Sequence, residues 1–573
     1  MKTRGIGILV ALSLVVVVFW PAAATVLNAS RESDAPPPDV SVLIRPTDDS
    51  VPRPLVLAAT SLELVLLTES IAVPIGVCLG LVLFRTDAWG RRALVWLMAI
   101  SAFMPMPLHA SAWLGAFGNA GRMQAIGGAS PILVGLHGAA IVHALAAIPW
   151  VMLLAGIGSL GVEREVEESA LLDLSAWQVF FRVTLRRSLG GIAAATLAVA
   201  VLTAGDMTVT DLLQVRTYAE EAYLQYQLGR GPCAAAAVTL PPLALLGLAI
   251  VLGSSSLFGG DSRRFTSVAR RARVWNLGGW RIPVGVLASL IIVSLVALPL
   301  ATLIWRAGRV GGSAALGRLP TWSLDGLTGT LKTALAEVAG LADSQTYLPP
   351  DDPASRGFSR WLERGREFME GPLATSVLWS GVGATFATIL GWGLAWNCIH
   401  SRAWRILGAI AVALALASPG PVAGMALVLA YRDFPTLYDS QGMIVLAAVL
   451  RTFPFAYLVI WPDLRALPQE YLEVAEVDGL RPWGIVRRVA LPLTRRSVVA
   501  SWWVAFVLAL GELPATNLIT PPGTTPLTVM IWGLLHTGVE SHLSGVVIVL
   551  LVTMSSASLC AALALSRLST PES

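Results

Sequence analysis

Residues 470–492, EYLEVAEVDGLRPWGIVRRVALP, are the most polar run within the otherwise apolar residues 373–566. It carries four acids and three arginines between long apolar runs. Charges at this density are costly to bury in a bilayer. The stretch also has neither the nucleophile–base pairing nor the ligand spacing that catalysis or metal binding needs. We therefore expect an ordered segment at a membrane surface that contacts another molecule.

The local chemistry of this stretch predicts two short helices separated by a turn. Residues 470–478 favour a helix, and Gly479 can adopt the left-handed conformation that ends it. Pro482 suits the first turn of a second helix, and Pro492 closes the element. The side chains expected to share one face of the second helix are Trp483, Val486 and Ala490.

Residues 163–187, EREVEESALLDLSAWQVFFRVTLRR, repeat this pattern earlier in the chain. Glu168, Ala170 and Asp173 correspond to Glu473, Ala475 and Asp478, and Trp177 and Leu185 correspond to Trp483 and Leu491. The first copy lacks the glycine and has Arg186 in place of the proline. Ser175 lies at its turn and is predicted to N-cap the second helix.

Other repeated residues indicate that the whole chain is a tandem duplication. Gly76 corresponds to Gly391, and Gly205-Asp206 corresponds to Gly511-Glu512; Pro105 and Pro107 correspond to Pro419 and Pro421. We predict a first half at 1–258 with its core at 57–258, a basic linker at 259–280, and a second half at 281–573 with its core at 373–566.

The composition predicts an all-α integral membrane protein. Hydrophobic residues make up 55% of the 573 residues and charged residues only 13%, about half the usual charged share of a soluble domain. Apolar runs of about 20 residues predict twelve spans, six in each half. They are 5–27, 57–84, 93–115, 132–158, 189–204 and 234–258, followed by 282–304, 373–396, 403–430, 442–465, 497–515 and 543–566.

The distribution of arginine predicts the orientation. Residues 259–281 carry six arginines and one acid, and residues 85–92 carry three arginines. Residues 305–372 balance eight basic with eight acidic residues. We therefore expect both termini in the cytoplasm and loop 305–372 outside. Segment 5–27 could be a signal peptide, but it matches the start of the second half and is expected to be a retained span.

Several functions are excluded by what the sequence lacks. Its two lysines, Lys2 and Lys332, have no preceding glycine of a phosphate-binding loop, so any ATP work must be done by a partner. A net charge of +4 is too small to indicate nucleic acid. The four cysteines and six histidines are scattered, and we predict no disulfide, metal site or catalytic centre on this chain.

Residues EVAEVDG followed by VALP resemble the EAA signature of ABC importer permeases. The matching residues are Glu473, Ala475, Gly479, Leu491 and Pro492, with Glu168, Ala170 and Leu185 in the first half. We call residues 163–187 the first EAA-like loop and residues 468–493 the second EAA loop. The arrangement is similar to fused two-domain permeases of the ferric iron type, and nearly as similar to those of thiamine and phosphonate systems. Residues 511–538 resemble the iron group most.

The resemblance implies a transport subunit of the cytoplasmic (inner) membrane rather than an enzyme. Two copies of an ATPase subunit would bind ATP and magnesium and dock on the two loops, and an extracytoplasmic binding protein would deliver the cargo. The chain itself would bind no cofactor. The predicted coupling residues are Glu473, Ala475, Asp478, Gly479, Leu491, Pro492, Glu168, Ala170, Asp173, Trp177 and Leu185. An ion-coupled secondary transporter is the alternative class.

Polar residues within or near the ends of predicted spans are candidates for the transport pathway. They are Glu69, Asp206, Arg451 and Glu512. Asp206 and Glu512 each follow a glycine near a helix end, so they could line the pathway or cap the local backbone. Arg451 could line the pathway or pair with an acid between helices. We expect loop 305–372 to help dock the binding protein.

Overall fold

The fold is given by a computed structural model, which describes residues 4–31, 53–102, 104–119, 122, 130–227, 273–310, 321–340, 370–537 and 540–569. Helices account for nearly all regular structure in these residues. A short antiparallel ribbon pairs β1 (Arg309–Val310) with β2 (Thr321–Trp322). The prediction of an all-α integral membrane protein is confirmed.

The helices of residues 4–227 follow the predicted spans and the first EAA-like loop. In chain order they are α1 (Arg4–Leu14), α2 (Trp20–Arg31), α3 (Arg53–Arg85), α4 (Arg91–Ala102), α5 (Met106–Phe117), α6 (Gly135–Leu160), α7 (Arg164–Ala170), α8 (Ala176–Val179), α9 (Arg186–Gly205), α10 (Thr208–Leu212) and α11 (Tyr218–Gln227). Two π-helical segments, Val15–Phe19 and Phe180–Leu185, join α1 to α2 and α8 to α9.

The helices of residues 273–569 begin after a single 3₁₀ turn, Gly278–Trp280. They are α12 (Arg281–Ala307), α13 (Leu324–Val338), α14 (Pro372–His400), α15 (Arg402–Ala417), α16 (Gly420–Tyr431), α17 (Pro435–Tyr438), α18 (Gly442–Arg465), α19 (Gln469–Val477), α20 (Pro482–Ile485), α21 (Leu491–Leu493), α22 (Arg495–Leu510), α23 (Pro514–Ile519), α24 (Leu527–Thr537) and α25 (Glu540–Ser569). The π-helical segment Val486–Ala490 joins α20 to α21.

Within the described residues, seven helical stretches are long and apolar enough to cross a membrane, and three bent pairs raise the number to ten. The seven are Gly5–Thr25, Leu55–Arg85, Gly135–Leu160, Ala176–Gly205, Gly278–Ala307, Pro372–His400 and Gly442–Arg465. Predicted span 543–566 falls on α25, and predicted span 234–258 lies outside the described residues. The total of twelve spans and the division into two halves stay predictions.

The structure corrects two spans that were predicted as continuous helices. Span 93–115 is broken between α4 and α5 with a bend of 103°, and span 403–430 is broken between α15 and α16 with a bend of 110°. Proline causes both breaks. Pro105 and Pro419 each lie directly before a helix, and the backbone of each proline is extended. A proline ring disfavours the helical conformation in the residue before it and has no N–H to donate, so Pro105 and Pro419 prevent the preceding helices from continuing. Ser418, directly before Pro419, is extended.

A third difference concerns predicted span 497–515. Its helix, α22, ends at Leu510 and meets the preceding segment Pro482–Leu493 at a bend of 76°. Predicted span 189–204, by contrast, extends backwards without a break through the π-helical segment to Ala176. The first EAA-like loop therefore runs continuously into its span, whereas the second EAA loop joins its span at an angle.

Close helix pairs form the centre of each part of the chain. Helix α3 packs on α6 and helix α14 packs on α18. A Cβ at Gly76 would lie 2.5 Å from Val151, and a Cβ at Gly391 would lie 2.8 Å from the backbone nitrogen of Tyr457. Only glycine permits so close an approach between helices, which explains why this residue recurs at corresponding positions.

Candidate functional site

The second EAA loop folds as two short helices around a tight glycine turn, as predicted. Gly479 has a φ of +76°, a conformation that glycine adopts without steric cost. The backbone nitrogen of Leu480 donates to the Ala475 carbonyl at 3.0 Å and closes the turn. Pro482 occupies the first position of α20, where its missing N–H costs no hydrogen bond.

The second EAA loop has a buried apolar side and an exposed apolar side. Its buried side chains pack in the main core cluster: Leu472, Ala475, Ile485, Val486 and Ala490. Its exposed apolar side chains are Tyr471, Val474, Val477, Trp483 and Leu493. Trp483 does not share the burial of Val486 and Ala490, because its indole is 62% exposed. The loop thus presents an aromatic side chain to its surroundings on a rigid support.

The first EAA-like loop has a different turn but a similar exposed surface. Ser175 caps α8 as predicted: its Oγ accepts from the Gln178 backbone nitrogen at 3.4 Å, and the Gln178 side chain accepts from the Ser175 backbone nitrogen at 3.1 Å. Trp177 is 72% exposed and stacks on Phe181 with ring centroids 6.0 Å apart. The first EAA-like loop therefore has a capping box of Ser175 and Gln178 at its turn, where the second EAA loop has a glycine.

The remaining predicted coupling residues lie on these two loops. Glu168, Asp173, Glu473, Asp478 and Pro492 are exposed, and Ala170, Leu185 and Leu491 are half-buried. Glu168 accepts from Arg164 Nε at 2.7 Å. Their predicted contact with an ATPase stays a prediction.

A cavity of about 180 Å³ lies between residues 102–206 and residues 451–514. Its lining includes Asp206, Arg451 and Glu512, three of the four predicted pathway residues. Trp150 and Phe455 contribute aromatic walls. Glu69 lies on α3, outside this lining. Elements far apart in sequence therefore bring two acids and one arginine to a single internal space.

The two acids line the cavity and also cap the local backbone. Asp206 Oδ2 accepts from the backbone nitrogen of Val209 at 3.0 Å. Glu512 accepts through Oε1 from the Ala515 nitrogen at 2.9 Å and through Oε2 from the Thr516 nitrogen at 2.9 Å. These bonds satisfy the first N–H groups of α10 and α23. Both acids thus cap the local backbone, and their role in a transport pathway stays a prediction.

Basic groups accompany the two acids around the cavity. Arg451 Nη1 donates to the carbonyl of Ser418 at 2.6 Å, which lies at the break between α15 and α16. Its observed contact is therefore with backbone at a helix break. His143 Nε2 lies 3.6 Å from Asp206 Oδ2 and also lines the cavity. His143 could not be identified from sequence, since no local spacing relates it to an acid more than sixty positions away.

A second acidic cluster joins α10, α11 and α24. Asp211 Oδ2 lies 3.0 Å from His536 Nε2. Burial, together with the nearby charge of Asp211, raises the pKa of Glu220 to about 8. Helix α11 covers ten of the described residues, fewer than a membrane span needs. Glu220 is thus protonated in the folded protein at pH values where it is ionised in the unfolded chain.

We expect the thermal stability of the purified protein to fall as pH rises from 5 to 8. A raised pKa stabilises the folded state below the ordinary value for glutamate, and this contribution is lost as pH rises through about 8. In Glu220→Gln the fall should be smaller by roughly a few degrees in Tm. Asp325→Asn, at an exposed site on α13, is the control. Equal pH dependence in Glu220→Gln and the parent protein would contradict this assignment.

Comparison with known families gives independent information about the second part of the chain. Residues 387–569 match the family described as "Binding-protein-dependent transport system inner membrane component". The matched region covers about a third of the chain. It runs from the middle of α14 to the end of α25 and contains the second EAA loop, Arg451 and Glu512.

Individual relatives carry different transport names. The spermidine/putrescine transport system permease protein PotC of Escherichia coli (strain K12) is 26% identical over 99 residues, which cover 17% of this chain and 38% of that protein. The Fe(3+)-transport system permease protein FbpB 2 of Haemophilus influenzae is 26% identical over 175 residues, which cover 30% of this chain and 35% of that protein.

A third relative is PhnV of Salmonella paratyphi A, a permease protein provisionally named for 2-aminoethylphosphonate transport. It is 31% identical over 123 residues, which cover 21% of this chain and 46% of that protein. The chain therefore spans less than half the length of each of these relatives. Residues 387–569 thus match the family of binding-protein-dependent transport system inner membrane components, and parts of the chain are similar to permease proteins of several transport systems.

Proposed function

We propose that this chain is the fused membrane permease of an ATP-driven ABC importer in the inner membrane. The observation that carries the proposal is the pair of EAA loops. Each is a folded helix–turn–helix with a buried anchor and an exposed tryptophan, Trp177 or Trp483. The second loop lies inside the family-matched region. A secondary transporter has no need for two such docking surfaces.

The proposed mechanism is ATP-driven alternating access. Two ATPase subunits dock on the two loops and bring them together when ATP binds. The first loop continues without a break through α9 to Asp206, and the second loop leads through α22 to Glu512. Because helices transmit displacement better than flexible chain, movement of the loops would reach the cavity. The ATPases supply ATP and magnesium chemistry, and this chain supplies the path.

The partners and orientation follow from the same proposal. The chain would consist of two tandem halves. Both EAA loops and both termini would lie on the cytoplasmic side. Loop 305–372 would face a solute-binding protein on the other side; much of this loop lies outside the described residues. One fused chain with two loops accounts for two ATPase copies.

Ferric iron is the cargo that we propose first. The name of FbpB 2, which aligns over 175 residues, supports iron, as does the resemblance of residues 511–538 to the iron group. The cargo would be handed over by the binding protein, which would ligate it. Thiamine and phosphonate remain the alternatives for the same machinery, and the name of PhnV favours phosphonate among them.

The first experiment measures uptake of radiolabelled ferric iron by cells that carry the chain, lack it, or carry Glu473→Ala. Loss of uptake in both altered strains supports an iron importer driven through the second EAA loop. Unchanged uptake in the deletion strain, with other iron systems removed, would contradict iron as the cargo. Co-purification of ATPase subunits with the tagged chain then tests the permease assignment separately.

Replacing Trp483 with alanine should weaken the association of the ATPase subunits. An exposed indole on a rigid loop is suited to act as an anchor in a partner's pocket. Such aromatic anchors typically contribute about 2 kcal/mol or more, so the dissociation constant should rise roughly thirtyfold. Titration of purified ATPase subunits onto the detergent-solubilised chain measures this change.

The matched control for Trp483→Ala is Trp280→Ala. Trp280 is similarly exposed but lies just before α12, outside both EAA loops. It should leave the dissociation constant unchanged. Equal weakening by both substitutions would point to general damage to the chain and would contradict a docking role for Trp483.

A further inference from the structure

A buried ion pair holds the first EAA-like loop against the end of α3. Arg85 is the last residue of α3 and Glu167 lies in α7, and both side chains are fully buried. Arg85 Nη2 donates to Glu167 Oε1 at 2.5 Å, and Arg85 Nη1 donates to the Ser159 carbonyl at 2.7 Å. The arginine thus binds α6 and the loop at the same time.

The second helical segment of the loop binds the same carboxylate. Thr184, in the π-helical segment after α8, donates through Oγ1 to Glu167 Oε1 at 2.5 Å. Glu167 therefore joins both helical segments of the loop to the end of α3. Because buried charges are expensive unless they are paired and hydrogen-bonded, this geometry is favoured over displaced positions that would separate the two charges.

The second EAA loop is anchored without charges. By the repeat pattern, Glu167 corresponds to Leu472 and Thr184 corresponds to Ala490, and both of these residues are buried in the apolar core. Arg85 corresponds to His400, which is exposed and contacts the carbonyl of Trp396 in its own helix. The ion pair is therefore specific to the loop that lacks the signature glycine and proline.

The same arginine is also attached to the segment that leads into α12. The backbone nitrogen of Trp275 donates to the Arg85 carbonyl at 2.7 Å, and the nitrogen of Asp87 donates to the Trp275 carbonyl at 3.2 Å. Arg281 Nε donates to the Asp87 carbonyl at 3.0 Å. Residues 85–87 thus contact the first EAA-like loop through the Arg85 side chain, and they contact the segment at the start of α12 through their backbone.

We propose that the Arg85–Glu167 pair positions the first EAA-like loop and fixes it relative to the junction at 273–281. In this role Arg85 and Glu167 are positioning residues for coupling, and they replace the conformational restriction that Gly479 and Pro492 give the second loop. The positioning stands on the contacts alone, and its consequence for transport rests on the proposed function.

The test measures the position of the loop directly by electron–electron distance spectroscopy. Spin labels are placed at Leu172→Cys on the loop and Gly279→Cys at the junction, in a chain whose native cysteines are replaced by serine. Leu172 is exposed, and a Cβ at Gly279 meets no atom within 4 Å. The parent should give one narrow distance distribution in lipid vesicles.

Neutralising either partner should broaden this distribution or shift its maximum. Glu167→Gln and Arg85→Met each leave one buried charge without its counterpart. The double variant Arg85→Met with Glu167→Leu copies the apolar anchor of the second loop and should restore a narrow distribution. Thr184→Val removes one donor and should give a smaller broadening, which remains readable if a single charge variant fails to insert. Glu163→Gln, at a partly exposed acid 3.8 Å from Arg187, is the matched control.

The proposal would be overturned if Glu167→Gln, Arg85→Met and Thr184→Val all kept the narrow distance distribution of the parent. It would also be overturned if the control Glu163→Gln broadened the distribution as much as they do. If the positioning acts on coupling, cargo uptake per ATP hydrolysed in Glu167→Gln should fall about tenfold, with hydrolysis itself retained. Failure of any ATPase to associate with the parent chain would contradict the proposed function, while the distance measurement would still decide the positioning.

Discussion

Replacing Gly479 with valine should lower cargo uptake at least about tenfold, while the chain still inserts into the membrane. The residue has a φ of +76°, which costs a non-glycine residue about 1–2 kcal/mol and a β-branched residue more. Relief of this strain requires the turn between α19 and α20 to open. Trp483 would then move relative to the buried anchor, and the docking surface would lose its shape.

A series at this position separates backbone conformation from side-chain bulk. Open space surrounds Gly479, since a Cβ there would meet no atom within 4 Å, so steric contact cannot explain a loss. Asparagine tolerates the left-handed conformation and should retain more uptake than alanine, which should retain more than valine. The measurement is uptake of radiolabelled iron per inserted chain, quantified in isolated membranes.

The control for the Gly479 series is Gly135→Ala. Gly135 also has a positive φ, +58°, and open space around it, but it lies at the start of α6, outside both EAA loops and outside the junction at 273–281. Its substitution introduces the same kind of strain and should leave uptake near the parental level. If Gly479→Val transports as well as the parent, a rigid turn in the second EAA loop is not needed for coupling.

The features of the EAA loops that sequence could predict are those set by neighbouring residues. The left-handed turn at Gly479, the helix start at Pro482 and the cap at Ser175 each depend on one residue type and its immediate backbone. The structure agrees with all three. The exposure of Trp483 could not be predicted in this way, because helical spacing places a side chain on a face but does not say how far the supporting core extends.

Other parts of the site depend on contacts between distant segments. His143 and Asp206 are 3.6 Å apart across two helices, and Arg85 meets Glu167 across α3 and α7. Neither pair has a sequence spacing that marks it. The breaks at Pro105 and Pro419 had a visible cause, but apolar composition alone cannot distinguish a broken span from a continuous one. Only the packing decides these features.

Asp206→Asn should abolish most uptake without unfolding the protein, and this separates the two roles that Asp206 combines. Asparagine caps a helix about as well as aspartate, so the acceptor for the Val209 backbone nitrogen is kept. Only the negative charge facing the cavity and His143 is lost. If this charge serves the pathway, uptake should fall at least about tenfold, which corresponds to about 1.4 kcal/mol, while Tm stays within roughly 2 °C of the parent.

Asp206→Ala and Glu512→Gln complete the comparison. Alanine removes cap and charge together and should add a loss of about 1 kcal/mol in stability. In Glu512→Gln one oxygen can still accept, but the amide nitrogen cannot take over the bonds that the second oxygen accepts, so stability and uptake should fall together. Normal uptake in Asp206→Asn with reduced uptake in Asp206→Ala would assign Asp206 to capping alone. Loss of uptake in both, with a normal Tm only in the asparagine variant, would assign its charge to the pathway, because the two variants differ in the cap and share the missing charge.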